Sequence, residues 1–135
     1  MSKPKIRHIA LVARDPNAMA RYYEKVFDME IIHRSKNGSC FVSDGYLTMA
    51  ILPHRLTGSA PVGLNHFGIQ VDSQEEIAHR IKDYGLEEPK KRPADRPYAE
   101  YRACDPEGNL FDISVHGYSD VEDEAGRDKK TKEAV

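Results

Sequence analysis

The chain has 135 residues, a net charge of −2, and 39% hydrophobic and 31% charged residues, the balance of a single globular domain with a sizeable core. That charge gives no electrostatic reason to expect nucleic acid or an anionic membrane as a partner, and no apolar run approaches the roughly 20 residues that span a bilayer. Two cysteines, Cys40 and Cys104, are too few for a disulfide scaffold, and no apolar leader follows Met1, so a reducing cytoplasm is the expected location.

In chain order, Ile6, Ile9, Leu11 and Val12 mark residues 5–13 as a strand. Asp15-Pro16 starts a helix, because the Asp carboxylate accepts from free N–H groups and Pro suits the first helical position. The helix is predicted over about residues 17–27, with Met19, Tyr22, Tyr23, Val26 and Phe27 toward one apolar side. Strands follow at 30–33, 39–43 and 46–52, separated by turns at Lys36-Asn37-Gly38 and Asp44-Gly45.

After a loop rich in Gly, Ser and Pro (53–63) the order restarts. Residues 64–71 read as a strand, and Ser73 with Glu76 reads as a capping box opening a helix. Ile77, Ile81 and Tyr84 line the apolar side of that helix, and Gly85 stops it. Residues 87–97 read as loop, 98–104 as strand, Asp105-Pro106-Glu107-Gly108 as turn and 109–115 as the final strand. This gives βαβββ over about 5–54 and, over 63–118, βα followed by strands with a poorly defined middle one, a second module of the same plan in one α+β domain over 1–118. The polar stretch 119–135 reads as a flexible tail.

The two modules open alike. His8-Ile9-Ala10-Leu11-Val12 and His66-Phe67-Gly68-Ile69-Gln70-Val71 each carry a histidine near the start of a strand, 58 residues apart. Asp112 is the only acid in the otherwise apolar last strand, and a carboxylate there must be paired, hydrogen-bonded or coordinated. Two imidazoles and one carboxylate make a facial triad with open positions, suited to Fe(II) or Mn(II) and compatible with Ni or Zn. The structural alternative is a pair of strand-edge histidines, with Asp112 matched to Arg102 on the preceding strand. The residues alone leave both open.

The chain resembles the vicinal oxygen chelate superfamily of glyoxalase I, extradiol dioxygenases, methylmalonyl-CoA epimerase and the fosfomycin and bleomycin resistance proteins. The resemblance covers about residues 5–118. It rests on the two histidine-led strands, on Tyr22-Tyr23-Glu24-Lys25-Val26-Phe27-Asp28-Met29 and, most specifically, on Asp105-Pro106-Glu107-Gly108-Asn109. It implies two βαβββ modules forming half-barrel mixed sheets around a central cavity, with His8 and His66 as metal ligands. Asp112 falls where the family usually has a glutamate one methylene longer. A fourth ligand, supplied in glyoxalase-like lyases and the epimerase by the first module's last strand, falls here on Met49 or Ala50, neither a good ligand for a hard dication. His54 is the substitute at hand, against its ordinary reading as a loop histidine.

Around the triad, the resemblance gives Arg102 a substrate-contacting role, and strand alternation puts His116 on the face of Asp112 and Ser114 as a candidate acid or base. The alternatives are an Arg102 at the surface or paired with Asp112, and a His116 capping the strand end in solvent. Tyr98 and Tyr101 line either a cavity or the core. Lys90, Lys91, Arg92 and Arg96 read first as a solvated loop and second as a lid favouring an anionic substrate.

These readings commit to a divalent-metal-dependent enzyme acting on a small molecule, dioxygenase-like, with Arg102 and His116 as catalytic candidates and His8, His66 and Asp112 on the metal. A lyase or isomerase drawing a further base from His54 or Glu100 is the first alternative, and a metal-free binding protein the second. A homodimer is expected from the small members of the family.

Overall fold

The computed structural model describes residues 3–93 and 99–116. The expectations for Arg96, Tyr98 and the 119–135 tail lie outside the described residues. Strand β1 (Lys5–Ala13) and helix α1 (Pro16–Phe27) are followed by β2 (Glu30–Arg34), β3 (Cys40–Ser43) and β4 (Thr48–Pro53). A 3-10 turn at His54–Leu56 leads into the second set: β5 (Gly63–Gln70), α2 (Gln74–Asp83), β6 (Lys90–Lys91), β7 (Tyr101–Cys104) and β8 (Leu110–Ser114). The eight strands of the described residues form one mixed sheet in the order β2-β3-β4-β1-β5-β8-β7-β6.

That order is a palindrome of modules. β1 and β5, the two histidine strands, pair antiparallel at the centre, and each takes its own module's last strand as a parallel neighbour on the other side. Duplication thus becomes an approximate two-fold relation, which carries the two histidines to the middle of the sheet.

Local chemistry sets the elements. Asp15 Oδ1 accepts from Ala18 N–H at 3.1 Å, and Pro16 occupies the first helical position of α1. Ser73 Oγ caps α2 by accepting from Glu76 N–H at 3.1 Å. The reciprocal half of the expected capping box is replaced by a pair between Glu76 and Arg80, one turn on, at 3.4 Å. At the far end of α2, Gly85 (φ 96°) takes the left-handed conformation, and the Gly85→Lys82 and Leu86→Ile81 backbone bonds close a Schellman motif.

The outer face of the first module buries Ala13, Ala20, Ile31, Cys40, Val42 and Ile51, with Met19, Tyr23, Met29 and Met49 packed against them. The apolar side expected for α1 is therefore partly corrected. Its buried stripe is Pro16, Met19, Ala20 and Tyr23, at helical spacing, whereas Tyr22, Val26 and Phe27 are more than half exposed. In α2, Ile77 and Ile81 are half-buried, but Tyr84 lies at the C-cap, past the last turn, and is exposed. No helix among the described residues is long and apolar enough to cross a membrane.

Away from His8 and its register partner Thr48, the inner face of the first module is apolar as well, with Ala10, Ile32, Phe41 and Ala50 buried beside Leu52. The corresponding face of the second module carries His66, Asp112, Ser114 and Arg102. The sheet is symmetric in backbone and asymmetric in chemistry.

Candidate metal centre

Strand register assembles the centre. His8 pairs with Gly68, Gly68 with Asp112, Asp112 with Arg102, and Arg102 with Lys90, one row across five strands. Side chains at directly paired positions share a face, so this row points its polar groups to one side. His66 joins them two residues from Gly68 and opposite Ala10. Each imidazole thus faces a very small residue on its partner strand.

Gly68 is the tighter case. A Cβ there would lie 1.9 Å from His8 Cε1. The space that a side chain would fill holds the His8 ring, directed toward Asp112. In the sequence, Gly68 stands within the His66-Phe67-Gly68-Ile69 motif with no local sign of a role. A histidine paired with glycine across two central strands is the signal it lacked.

Asp112 is 1% exposed. Its two oxygens divide their partners. Oδ1 accepts from Arg102 Nε at 2.6 Å and from Arg92 Nη1 at 3.3 Å. Oδ2 accepts from Arg102 Nη2 at 3.2 Å and faces His66 Nε2 at 3.1 Å and His8 Nε2 at 3.5 Å, the last at the outer limit of a hydrogen bond. The two rings meet edge to face with centroids 5.7 Å apart. His66 Nδ1 lies 2.7 Å from Asn65 Oδ1. In the metal-free chain His66 Nε2–H donates to Asp112; a cation at the centre would take that proton's place, and an Nδ1–H donated to Asn65 would then be the tautomer that frees the Nε2 lone pair.

One donor atom from each of His8, His66 and Asp112 lies within 4.8 Å of the others. Adjacent ligands on a dication with bonds of about 2.1 Å stand about 3.0–3.4 Å apart, depending on geometry. The carboxylate-to-imidazole separations of 3.1 and 3.5 Å are close to that range, and the donor set of two imidazoles and one carboxylate suits a divalent cation. The residues present fit such a group.

Charge is arranged to the same end. Burial pushes the His8 pKa below its usual value, outweighing the opposing pull of Asp112, and so keeps the ring neutral. Burial alone would raise the Asp112 pKa. Hydrogen bonds from His66, His8 and Arg102 more than offset this and hold its carboxyl well below the usual carboxylate range. Both groups have folded-state values below their unfolded ones, so the folded chain binds fewer protons and acid destabilises it. In chelator-treated protein, stability should begin to fall below about pH 6.5 through His8 and faster below about pH 4 through Asp112. Urea midpoints from pH 8 to pH 3 check this; a flat profile would contradict it.

The remaining candidates fall as follows. Arg102 clamps Asp112 through two of its nitrogens, so the pairing considered as an alternative to a metal centre is present within the same cluster. His116 lies two residues past the end of β8, its N–H donating to Ser114 Oγ at 2.9 Å. Glu100 Oε1 accepts from Ser114 Oγ at 3.3 Å and from Val115 N–H at 3.0 Å. His54 is exposed in the 3-10 turn. Register also identifies the fourth-ligand position. Asp112 pairs with the residue two past His66, and the residue two past His8, Ala10, pairs with Ala50. Ala50 is buried among apolar neighbours.

The specific motif 105–109 proves to be a turn. Asp105 accepts from the backbone of Glu107 and Asn109 and from Asn109 Nδ2, at 2.8–3.0 Å, and Gly108 supplies a positive φ. Its service to the site is to set the β7–β8 hairpin register that places Arg102 opposite Asp112.

Comparison with known proteins accords with this architecture. The structure is similar to BH1468 from Bacillus halodurans C-125 (TM-score 0.61, 16% identity, 83% of this chain and 94% of that one). It is also similar to Streptomyces coelicolor methylmalonyl-CoA epimerase in complex with 2-nitronate-propionyl-CoA (TM-score 0.58, 18% identity, 85% and 100% covered). The 2,3-dioxygenase LapB from Pseudomonas sp. KL28 matches with TM-score 0.63 at 16% identity over 83% of this chain, but only 40% of that one. At these identities the likeness is one of fold. No curated protein matches in sequence. The family model described as Glyoxalase/Bleomycin resistance protein/Dioxygenase superfamily matches residues 5–113. The chain belongs to that superfamily.

Proposed function

We propose that His8, His66 and Asp112 hold a divalent cation, Fe(II) or Mn(II) in the first instance and Ni or Zn otherwise, in a dioxygenase-like enzyme acting on a small molecule. The observation that carries the reading is the convergence of two imidazole Nε2 atoms on one oxygen of a buried carboxylate that Arg102 holds through both oxygens and Arg92 through the other. Held by these three residues, a cation would supply Lewis-acid charge to substrate oxygens.

The chain's own residues then have distinct tasks. Asn65 orients His66, Gly68 makes room for His8, and Arg102 fixes the rotamer of Asp112 so that Oδ2 faces the histidines. Arg102 is also the substrate-contacting candidate. His116 is the outlying acid or base, to be tested by pH–rate profile in His116→Ala. An apolar Ala50 at the fourth-ligand position favours the three-ligand reading over a lyase or isomerase.

A second reading has one observation in its favour: Arg102 and Arg92 already satisfy Asp112, as a metal-free binding protein requires. The homodimer and the cytoplasmic location belong to this proposal too, the former supported by exposed Tyr22, Val26 and Phe27 along α1.

The test is to load purified protein with Fe(II) or Mn(II) under anaerobic conditions and offer catechol-like substrates at an oxygen electrode. Oxygen uptake that disappears on chelation is the expected result. Solvent deuterium entering a substrate carbon without oxygen uptake would transfer the assignment to the lyase and isomerase class. Ligand binding indifferent to chelators would transfer it to the binding proteins.

A further inference from the structure

We propose that the cavity at the β6–β7 edge, about 460 Å3 in volume, is a subsite for an anionic oxygen group of the substrate, a carboxylate or a phosphate. The inference deepens the functional reading above and rests on it for the other end of the same molecule, the end that meets the triad.

The cavity and the triad share Arg102 and Arg92. Both arginines line the cavity and both hold Asp112. Arg102 commits Nε and Nη2 to Asp112. A guanidinium has five N–H donors in a fork that matches carboxylate and phosphate oxygens, so donors remain on Arg102 for a second acceptor. Its side chain is 27% exposed, and the cavity is therefore open to it. Lys90 pairs in register with Arg102, as Arg102 does with Asp112. Cationic side chains thus run along one row of the sheet from the cavity to the carboxylate, and Lys91 lines the cavity beside them.

Four cationic side chains line the cavity against three acids, Glu87, Glu88 and Asp105. Asp105 is taken up by its own turn, accepting from Glu107, Asn109 and the Asn109 side chain. Glu88 pairs outward with Lys82 at 3.5 Å, and Glu87 meets Lys90 at 3.8 Å, both between well-exposed side chains. Such surface pairs are weak and readily exchanged. Leu86, Pro93, Ala103 and Leu110 give the cavity apolar walls. Its volume lies in the range of ligand sites, about 300–1,000 Å3, which suits an anionic group with some carbon attached. A triad at one end and a cationic cavity at the other select a small molecule with chelating oxygens at one end and an anion at the other.

The test uses the full chain, stripped of metal by chelator and exchanged into low-salt buffer. It is titrated calorimetrically with inorganic phosphate and, separately, with malonate, against a Lys90→Gln/Lys91→Gln variant. Saturable binding of at least one anion is expected, weakened about tenfold in the variant by the loss of two charges. Phosphate alone binding assigns a phosphate-bearing substrate, and malonate alone a carboxylate. No saturable binding of either, or equal affinity in the variant, overturns the subsite. Metal content, measured on companion samples not treated with chelator, separates the two readings. Metal retained with no anion binding removes the subsite alone, whereas anion binding with no metal removes the metal reading and leaves the subsite.

Discussion

Asp112→Ala should destabilise the metal-free protein by about 3 kcal/mol, near the low end for breaking a buried ion pair. The carboxylate is the shared counter-charge for Arg102 and Arg92, and both imidazoles face it. Removing it leaves two guanidiniums crowded together without that partner. Their side chains are 27% and 17% exposed, so water softens the penalty, which is why the lower end is expected. Asp112→Asn keeps the shape and part of the hydrogen bonding and should cost less. Both variants should lose metal. Urea denaturation of chelator-treated protein reads the stability; a midpoint for Asp112→Ala equal to wild type would mean that the arginine clamp contributes nothing.

Gly68→Ala should remove the site through a single methyl group. Gly68 is outside the left-handed region that favours glycine, so the backbone accepts alanine and the effect is steric. The added Cβ would meet the His8 ring at 1.9 Å, forcing the ring away from Asp112. Overpacking of this kind costs about 1–3 kcal/mol, and metal binding should be lost with the ligand's position. A double-mutant cycle isolates the cause. In a His8→Ala background the methyl group has room, so Gly68→Ala should then cost little, and the two changes should be strongly non-additive. Additive effects would show that Gly68 matters for some other reason.

The parts of this fold legible from sequence were those written in local chemistry. The Asp15-Pro16 helix start, the Gly85 stop and the Asp105 turn are each fixed by residues within a few positions, and the repeated histidine strand revealed the duplication. Strand ends were less legible. The last strand, read over 109–115, spans Leu110–Ser114, and the one before it, read from 98, starts at Tyr101 among the described residues, because apolar runs do not mark where pairing stops.

The α1 surface was misjudged because a helix facing one sheet buries a narrow stripe, and Tyr22 and Val26 fall just beside it. The candidate triad is legible as two histidines at equivalent positions and one acid in an apolar strand. Its support is not: the pairing of Gly68 with His8, and of Arg102 with Asp112 and Lys90, depends on register between strands far apart in sequence. Register also chose Ala50 over Met49 at the fourth-ligand position, a choice the sequence left open.

Elemental analysis is the most direct test of the metal centre proposed at His8, His66 and Asp112. Untagged protein purified anaerobically without chelators should be measured beside His66→Ala. Close to one divalent cation per chain is expected in the wild type and none in the variant, which should remain folded because Arg102 and Arg92 still hold Asp112. A wild-type chain that takes up no metal even after reconstitution, or a His66→Ala variant that retains it, would contradict the account.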